Sequence, residues 1–260
     1  MKLILSISLR KVTQVLTSVI IFLSVISLGL HFAATAFGYR GILMGLVKLF
    51  DVGKDNNIPT WYSSFALLLC SCVIALIAWT KDINRGRYVL HWKVLSAIFV
   101  FLSIDEVAMM HEQSGKLLKV LNIDKSSGSG FPMGWFTVAI PIILVLALTY
   151  LKFLAHLPAK TKLLFGVAGT IFLGGAIGTE MVGKYNFDLY GRSINLTMIT
   201  AVEEFMEMLG IVVFLYALLS YLGLYVQEVQ VHIGEARRQT TLRAIDEPIL
   251  EERLERSSRR

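Results

Sequence analysis

Charged residues are scarce in this sequence. Asp, Glu, Lys and Arg make up 17% of its 260 residues, whereas hydrophobic residues make up 55%. A soluble globular domain averages about 25% charged residues, and a disordered chain carries few large apolar side chains. The composition therefore excludes soluble, disordered and collagenous classes and indicates an integral membrane protein.

Cysteine and the common catalytic motifs are also nearly absent. The 2 cysteines, Cys70 and Cys72, lie close together within one apolar run, so a disulfide scaffold and a zinc-type spacing are both excluded. The sequence contains no P-loop, no His-Glu-x-x-His motif and no Gly-x-Ser-x-Gly elbow. The net charge of +6 does not indicate a nucleic-acid partner, because the basic residues form short clusters between apolar runs.

Long apolar runs dominate what is present. A bilayer crossing takes about 20 helical residues, and lipid leaves a single run no other way to satisfy its backbone. We therefore predict an all-α polytopic bundle of about six transmembrane helices in a domain covering residues 1–226. The predicted spans are 12–37, 61–80, 92–112, 135–154, 163–182 and 196–222.

The connections predict how these spans are oriented. Lys and Arg are denser in alternate connections, which favours a cytoplasmic N-terminus and a cytoplasmic C-terminus. Two short amphipathic stretches, 41–50 and 116–121, are predicted to lie in the membrane interface. The tail 227–260 has balanced charges, which indicates a solvated cytoplasmic segment or a docking segment for a protein partner.

The first apolar run has an alternative interpretation. Lys2, Arg10 and Lys11 precede it, and the segment 34–36 resembles a signal-peptidase cleavage site. A retained first span is favoured because the run is longer than a usual signal-peptide core.

Acidic residues occur where a membrane protein rarely has them. An ionised side chain at mid-bilayer costs about 2.5–3.5 kcal/mol, so these residues must face each other, water or a cation. Seven of them lie within or at the ends of predicted spans, namely Asp105, Glu106, Glu112, Glu180, Glu203, Glu204 and Glu207.

Helical geometry predicts that these acids converge. At about 100° per residue, Glu203, Glu204 and Glu207 share one face of the sixth span. Because successive spans alternate in direction, the acids of the third, fifth and sixth spans fall at similar depth. We therefore predict one site that opens to the extracytoplasmic side. Gly174 and Gly178 have a spacing that allows close helix contact beside it.

Histidine could add a nitrogen donor to this site. On an ideal helix His111 points away from Asp105, so it joins the acids only if the helix loosens near its end; otherwise it is an interfacial residue. The remaining histidines fall near span ends or in the tail and are predicted to be interfacial or solvated; they are His31, His91, His156 and His232.

Three kinds of chemistry could make such a site stable. The acids could bind a divalent metal (iron, manganese or zinc), stay partly protonated as acid–base groups, or pair structurally. Asp105, Glu203 and Glu207 are the predicted core ligands or acid–base groups. The predicted metal-ligand set is Asp105, Glu106, His111, Glu112, Glu180, Glu203, Glu204 and Glu207.

These options predict different functions. The leading hypothesis is a metal-dependent or acid–base membrane enzyme that acts on a lipid or a lipid-soluble substrate. The alternatives are a proton- or cation-coupled transporter and a membrane scaffold that works through its charged tail.

Three motifs carry a resemblance. The Asn-Ile-Pro-Thr-Trp segment at 57–61, the Asp-Glu-x4-His-Glu segment at 105–112 and the Glu-Glu-x2-Glu segment at 203–207 are similar to those of a family of uncharacterised bacterial and cyanobacterial multi-pass membrane proteins. The likeness covers about residues 50–222. It implies a bacterial inner (plasma) membrane protein, and it implies no activity or catalytic role.

Overall fold

Helices account for all regular secondary structure in the described part of the chain. The computed structural model describes residues 8–38, 40–111, 113, 135–191 and 193–225. The all-α prediction is therefore confirmed. The elements are α1 (Leu9–Phe37), α2 (Gly41–Phe50), α3 (Ile58–Ile83), α4 (Val89–Ala108), α5 (Phe136–His156), α6 (Ala159–Leu173), a π-helical segment (Gly174–Thr179), α7 (Glu180–Tyr190) and α8 (Ile194–Tyr225).

Several of these helices are membrane-length. Five are long and apolar enough to cross a bilayer: α1, α3, α5, the continuous Ala159–Tyr190 segment and α8. The chain is thus a multi-pass membrane protein. Helix α4 is not among the five, since its 20 residues include Lys93, Asp105 and Glu106. The six-span count, the orientation and the division at residue 226 remain predictions.

Helix α3 begins at a sequence signal that is local. The side chain of Asn57 accepts a hydrogen bond from the backbone N–H of Thr60 (3.2 Å), and Pro59 lies in the first turn. Both features stabilise a helix start. The segment 41–50 forms the short helix α2, whereas the segment 116–121 and the tail 227–260 lie outside the described residues.

Two serine pairs join α3 to α4. The hydroxyl of Ser64 lies 3.0 Å from that of Ser103, and the hydroxyls of Ser71 and Ser96 are also 3.0 Å apart. Each hydroxyl also donates to the backbone carbonyl of its partner residue. The pairs are two helical turns apart, so they fix one antiparallel register of the two helices. This register places Ser63 at the start of α3 beside Glu106 near the end of α4.

Close backbone approach joins α6 to α8. A Cβ atom at Gly210 would lie 2.8 Å from the backbone nitrogen of Phe172, and one at Gly175 would lie 2.9 Å from the carbonyl oxygen of Glu203. Only glycine allows this separation. Among the described residues nothing lies within 4 Å of a Cβ at Gly178. The predicted close contact occurs at Gly174, where a Cβ would lie 3.2 Å from Met206 Cε, and is wrong at Gly178; Gly175 makes a closer approach than either.

The span containing these glycines is not a regular α-helix. Residues Gly174–Thr179 form a π-helical segment, in which the Thr179 hydroxyl donates to the carbonyl of Gly175 (2.7 Å). Such segments shift the helical register and are frequent at functional sites. Glu180 follows the segment directly and faces the acidic stretch of α8, with which it interacts electrostatically.

Candidate functional site

His111 folds back onto Asp105 at the end of α4. The helix ends at Ala108, and Met109 adopts the left-handed conformation with φ +52°. The backbone N–H of His111 then donates to Asp105 Oδ1 (2.8 Å), and its ring Nδ1 lies 2.9 Å from Asp105 Oδ2. The helix therefore ends before Met109, and this ending brings His111 to Asp105.

An aromatic contact links this pair to the next acid. The His111 and Trp135 rings meet edge to face with their centroids 5.3 Å apart. The indole N–H of Trp135 donates to Glu180 Oε2. The end of α4, the start of α5 and the start of α7 are therefore connected through three polar side chains and one indole.

Acidic residues from three parts of the chain come together, as the helical geometry predicted. We call Glu106, Glu180, Glu203, Glu204 and Glu207 the carboxylate cluster. Glu204 interacts electrostatically with Glu106, Glu203 and Glu207, and Glu207 interacts in addition with Glu180. All five side chains are half-buried. The cluster thus combines α4, α7 and α8 at one end of the bundle.

The cluster has a strongly negative character. The ion pairs in the described part of the chain join Asp51 to His31 and Lys54, Asp82 to Lys93, and Asp105 to His111. None of them includes Glu106, Glu203, Glu204 or Glu207. Neighbouring carboxylates in a low dielectric repel each other strongly when they are ionised. A fully ionised cluster is therefore unstable without protons or a cation.

The carboxylate cluster does not have the geometry of a metal site in the described part of the chain. Within the described ranges no group of three or more His, Cys, Asp or Glu side chains is arranged to hold a metal ion. Glu112, one of the predicted ligands, lies outside the described residues. The metal-ligand roles, and the catalytic roles of Asp105, Glu203 and Glu207, remain predictions.

Sequence reasoning missed three residues of this region. Ser63 hydrogen-bonds Glu106, Asp55 interacts electrostatically with Glu106 and Glu204, and Trp135 binds Glu180. Their positions depend on helix register, which one sequence does not show.

His31 occupies a different environment from the one predicted. It is buried, and its Nε2 lies 3.1 Å from Asp51 Oδ1. Asp51 also binds Lys54 (3.0 Å), and the nearby Ser27 hydroxyl accepts a hydrogen bond from the backbone N–H of Val52 (3.1 Å). The expectation of an interfacial or solvated His31 is therefore wrong. The His31–Asp51 pair links α1 to the loop before α3.

An apolar crevice adjoins the carboxylate cluster. Residues of α3, α4, α6 and α8 line it, and it is partly open. All of its lining side chains are apolar: Leu67, Phe99, Leu102, Phe165, Ala168, Gly169, Phe172, Gly210, Ile211 and Phe214.

Crevice and cluster occupy neighbouring turns of the same helices. Leu102 precedes Glu106 by four residues on α4, and Ile211 follows Glu207 by four residues on α8. Four residues correspond to a rise of about 6 Å. A polar site and an apolar site are therefore contiguous within the bundle.

The fold and this arrangement define a class: a multi-pass helical membrane protein that holds a carboxylate cluster against an apolar crevice. Residues 15–222 match the model of a family described as a domain of unknown function, DUF8692, and the chain belongs to that family. Neither a curated protein nor a solved structure matches the chain. The bacterial inner-membrane location remains a prediction.

Proposed function

We propose that the protein is a membrane-embedded enzyme whose carboxylates act as acid and base on a lipid-soluble substrate. The observation that carries the proposal is the proximity of Glu106, Glu204 and Glu207 without an ion-paired cation in the described part of the chain. Carboxylates in such a group cannot all be ionised, so they share protons. A general acid and a general base that act together need one protonated and one ionised group side by side.

The Asp105–His111 pair supports the same chemistry. The Asp105 carboxylate accepts from the backbone N–H of His111 and faces its ring Nδ1, which holds the imidazole in one orientation. With the proton on Nδ1, the basic lone pair of the ring lies on Nε2. A fixed imidazole next to a group of carboxylates can receive or deliver a proton during a reaction.

The crevice supports the substrate class. Its lining is apolar, and the helices that form it include membrane-length ones. Water-soluble substrates would gain little from such a wall, whereas each buried methylene of a hydrocarbon chain contributes about 0.8 kcal/mol.

A comparison of membrane lipids tests the proposal. Wild type, Glu207→Gln and the matched control Asp188→Asn are expressed in the same host, and their lipid extracts are compared by untargeted mass spectrometry. Asp188 is an exposed acid on α7 outside the cluster. Relative to an empty-vector strain, we expect wild type and Asp188→Asn to change the abundance of at least one lipid. The rate of this change should be at least about 100-fold lower with Glu207→Gln. Identical extracts from wild type and an empty-vector strain would overturn the proposal.

A proton- or cation-coupled carrier is the second candidate. The carboxylate cluster also favours it, because acidic side chains inside membranes form proton relays in pumps and transporters. The carrier predicts ion-dependent substrate flux or acidification in proteoliposomes, with Glu207→Gln inactive. Flux without any lipid product would replace the enzyme proposal with this one.

Two predictions from the sequence need their own measurements. Near-stoichiometric iron, manganese or zinc in the purified protein, lost in both Asp105→Asn and Glu203→Gln, would support the metal-dependent form of the enzyme. A scaffold would instead keep its function in Glu203→Gln and lose it when residues 227–260 are deleted.

A further inference from the structure

We propose that the apolar crevice binds the hydrocarbon chain of a long-chain amine, whose ammonium head reaches the carboxylate cluster. This inference rests on the proposed function and names the substrate class of the same site. It combines three features of the described residues: the apolar lining of the crevice, its position one helical turn from the carboxylates along α4 and α8, and the absence of α5 from its lining.

The lining determines what the crevice can bind. Phe99 and Phe214 stack with their ring centroids 4.8 Å apart, and Phe165 lies 4.5 Å from Phe214. Gly169 also lines the crevice, and no heavy atom of the described residues lies within 4 Å of a Cβ placed there. The aromatic walls and the space beside Gly169 can accommodate a flexible hydrocarbon chain. A polar ligand group would be unfavourable there, because the lining offers it no hydrogen-bond partner.

Helix α5 contacts the rest of the bundle near its two ends. At its start, Trp135 contacts both His111 and Glu180, so this end of α5 bridges α4 and α7. Near its other end, the ring of Phe153 packs edge-on against Trp92 of α4 with centroids 4.9 Å apart. Between these contacts every residue from 137 to 149 is half-buried or exposed. No residue of α5 is part of the crevice lining in the described part of the chain, so α5 does not close the crevice to a lipid chain.

Charge complementarity selects the head group. The chain bound in the crevice ends about one helical turn from Glu106 and Glu207. These carboxylates lack an ion-paired Lys or Arg in the described ranges. An ammonium group supplies a positive charge and three hydrogen-bond donors. A lipid carboxylate would add to the repulsion, and a neutral alcohol would leave uncompensated the negative charge that remains after the carboxylates have shared their protons.

Photo-crosslinking of the full-length protein in detergent tests this assignment. The probe is an alkyl amine with a diazirine at the end of its chain, and the alcohol and the carboxylic acid of equal length are the comparison probes. Mass spectrometry of the peptides locates the crosslink. We expect the amine to label the crevice segments of α4, α6 and α8, and an excess of unlabelled amine to compete about tenfold better than the alcohol.

One pair of glycine variants tests the chain site. Gly169→Leu fills the crevice, whereas Gly166→Leu on the same helix points into open space and does not line it. We expect about tenfold less labelling of the crevice in Gly169→Leu and an intermediate loss in Gly169→Ala. Gly166→Leu should be labelled as strongly as wild type. Equal labelling of Gly169→Leu and Gly166→Leu, with both folded by size-exclusion chromatography, would overturn the chain site.

The head site has a separate test. Glu204→Gln and Glu207→Gln are expected to reduce the preference for amine over alcohol about tenfold while the chain still labels the crevice. An unchanged preference would overturn the amine assignment. If wild type shows no crevice labelling but still changes the host lipids, the inference fails and the proposed enzyme stands. If labelling occurs without any lipid change, the proposed function fails and the binding site stands.

Discussion

His111 lies six residues after Asp105, yet its backbone N–H and its ring Nδ1 both contact the Asp105 carboxylate, at 2.8 Å and 2.9 Å. A continuous α-helix would separate the two side chains by more than a full turn. The left-handed Met109 ends α4 and makes the contact possible. A residue other than glycine in this conformation costs about 1 kcal/mol, so the geometry is maintained by its surroundings.

Met109 should therefore control the Asp105–His111 contact. We expect Met109→Gly to preserve the contact and raise the free energy of unfolding by about 1 kcal/mol, because glycine adopts positive φ without strain. Met109→Ile should break the contact, since a β-branched side chain disfavours that conformation. Nitrogen-15 NMR of labelled histidine reports the His111 ring. An unchanged His111 signal in Met109→Ile would contradict this explanation.

Neutralising one acid of the cluster should stabilise the protein. Glu207→Gln removes a like-charge repulsion while keeping the size of the side chain, so the free energy of unfolding should rise by about 1 kcal/mol. Thermal unfolding in detergent measures the change. The exposed Asp188→Asn should leave stability unchanged. A loss of stability in Glu207→Gln would indicate that this carboxylate binds a structural partner.

The serine pairs should couple α3 to α4 energetically. In a double-mutant cycle, Ser64→Ala and Ser103→Ala should show a coupling energy of about 0.6 kcal/mol, typical of hydrogen bonds between membrane helices. Ser24 provides the control, because its buried hydroxyl has no hydrogen-bond partner among the described residues. Ser24→Ala should be neutral or stabilising. Additive effects of the Ser64 and Ser103 changes would argue against the observed register.

Gly210 should tolerate no side chain. A Cβ there would lie 2.8 Å from the backbone of Phe172, so Gly210→Ala must separate α6 from α8 and should cost about 1–3 kcal/mol of unfolding free energy. Gly166→Ala is the matched control on α6, where open space surrounds the added methyl group. Its higher helix propensity should stabilise the protein by up to about 1 kcal/mol. Equal stabilities of the two variants would show that α6 and α8 pack less closely.

Local sequence signals accounted for the helices and for part of the site. The long apolar runs identified the spans that became α1, α3, α5 and α8, with ends that differ by a few residues. The spacing of Glu203, Glu204 and Glu207 identified one face of α8. These inferences worked because helix formation and burial in lipid depend mainly on residues near each other in the chain.

Other features had no readable signal in the chain. The π-helical segment, the Ser63–Glu106 hydrogen bond and the His31–Asp51 pair all depend on which helices are neighbours. The sequence indicated an interfacial or solvated position for His31, because a single residue near a span end does not show that a later loop brings Asp51 against it.

Composition and the long apolar runs are enough to predict a helical membrane protein whose acidic residues face away from lipid. These results follow from composition and from the cost of placing charge in lipid. The three-dimensional packing was needed to show which acids are neighbours, how His111 turns back to Asp105, and that an apolar crevice lies one turn from the carboxylates. Those features depend on register and close glycine contacts between distant helices, and packing rather than local sequence sets both.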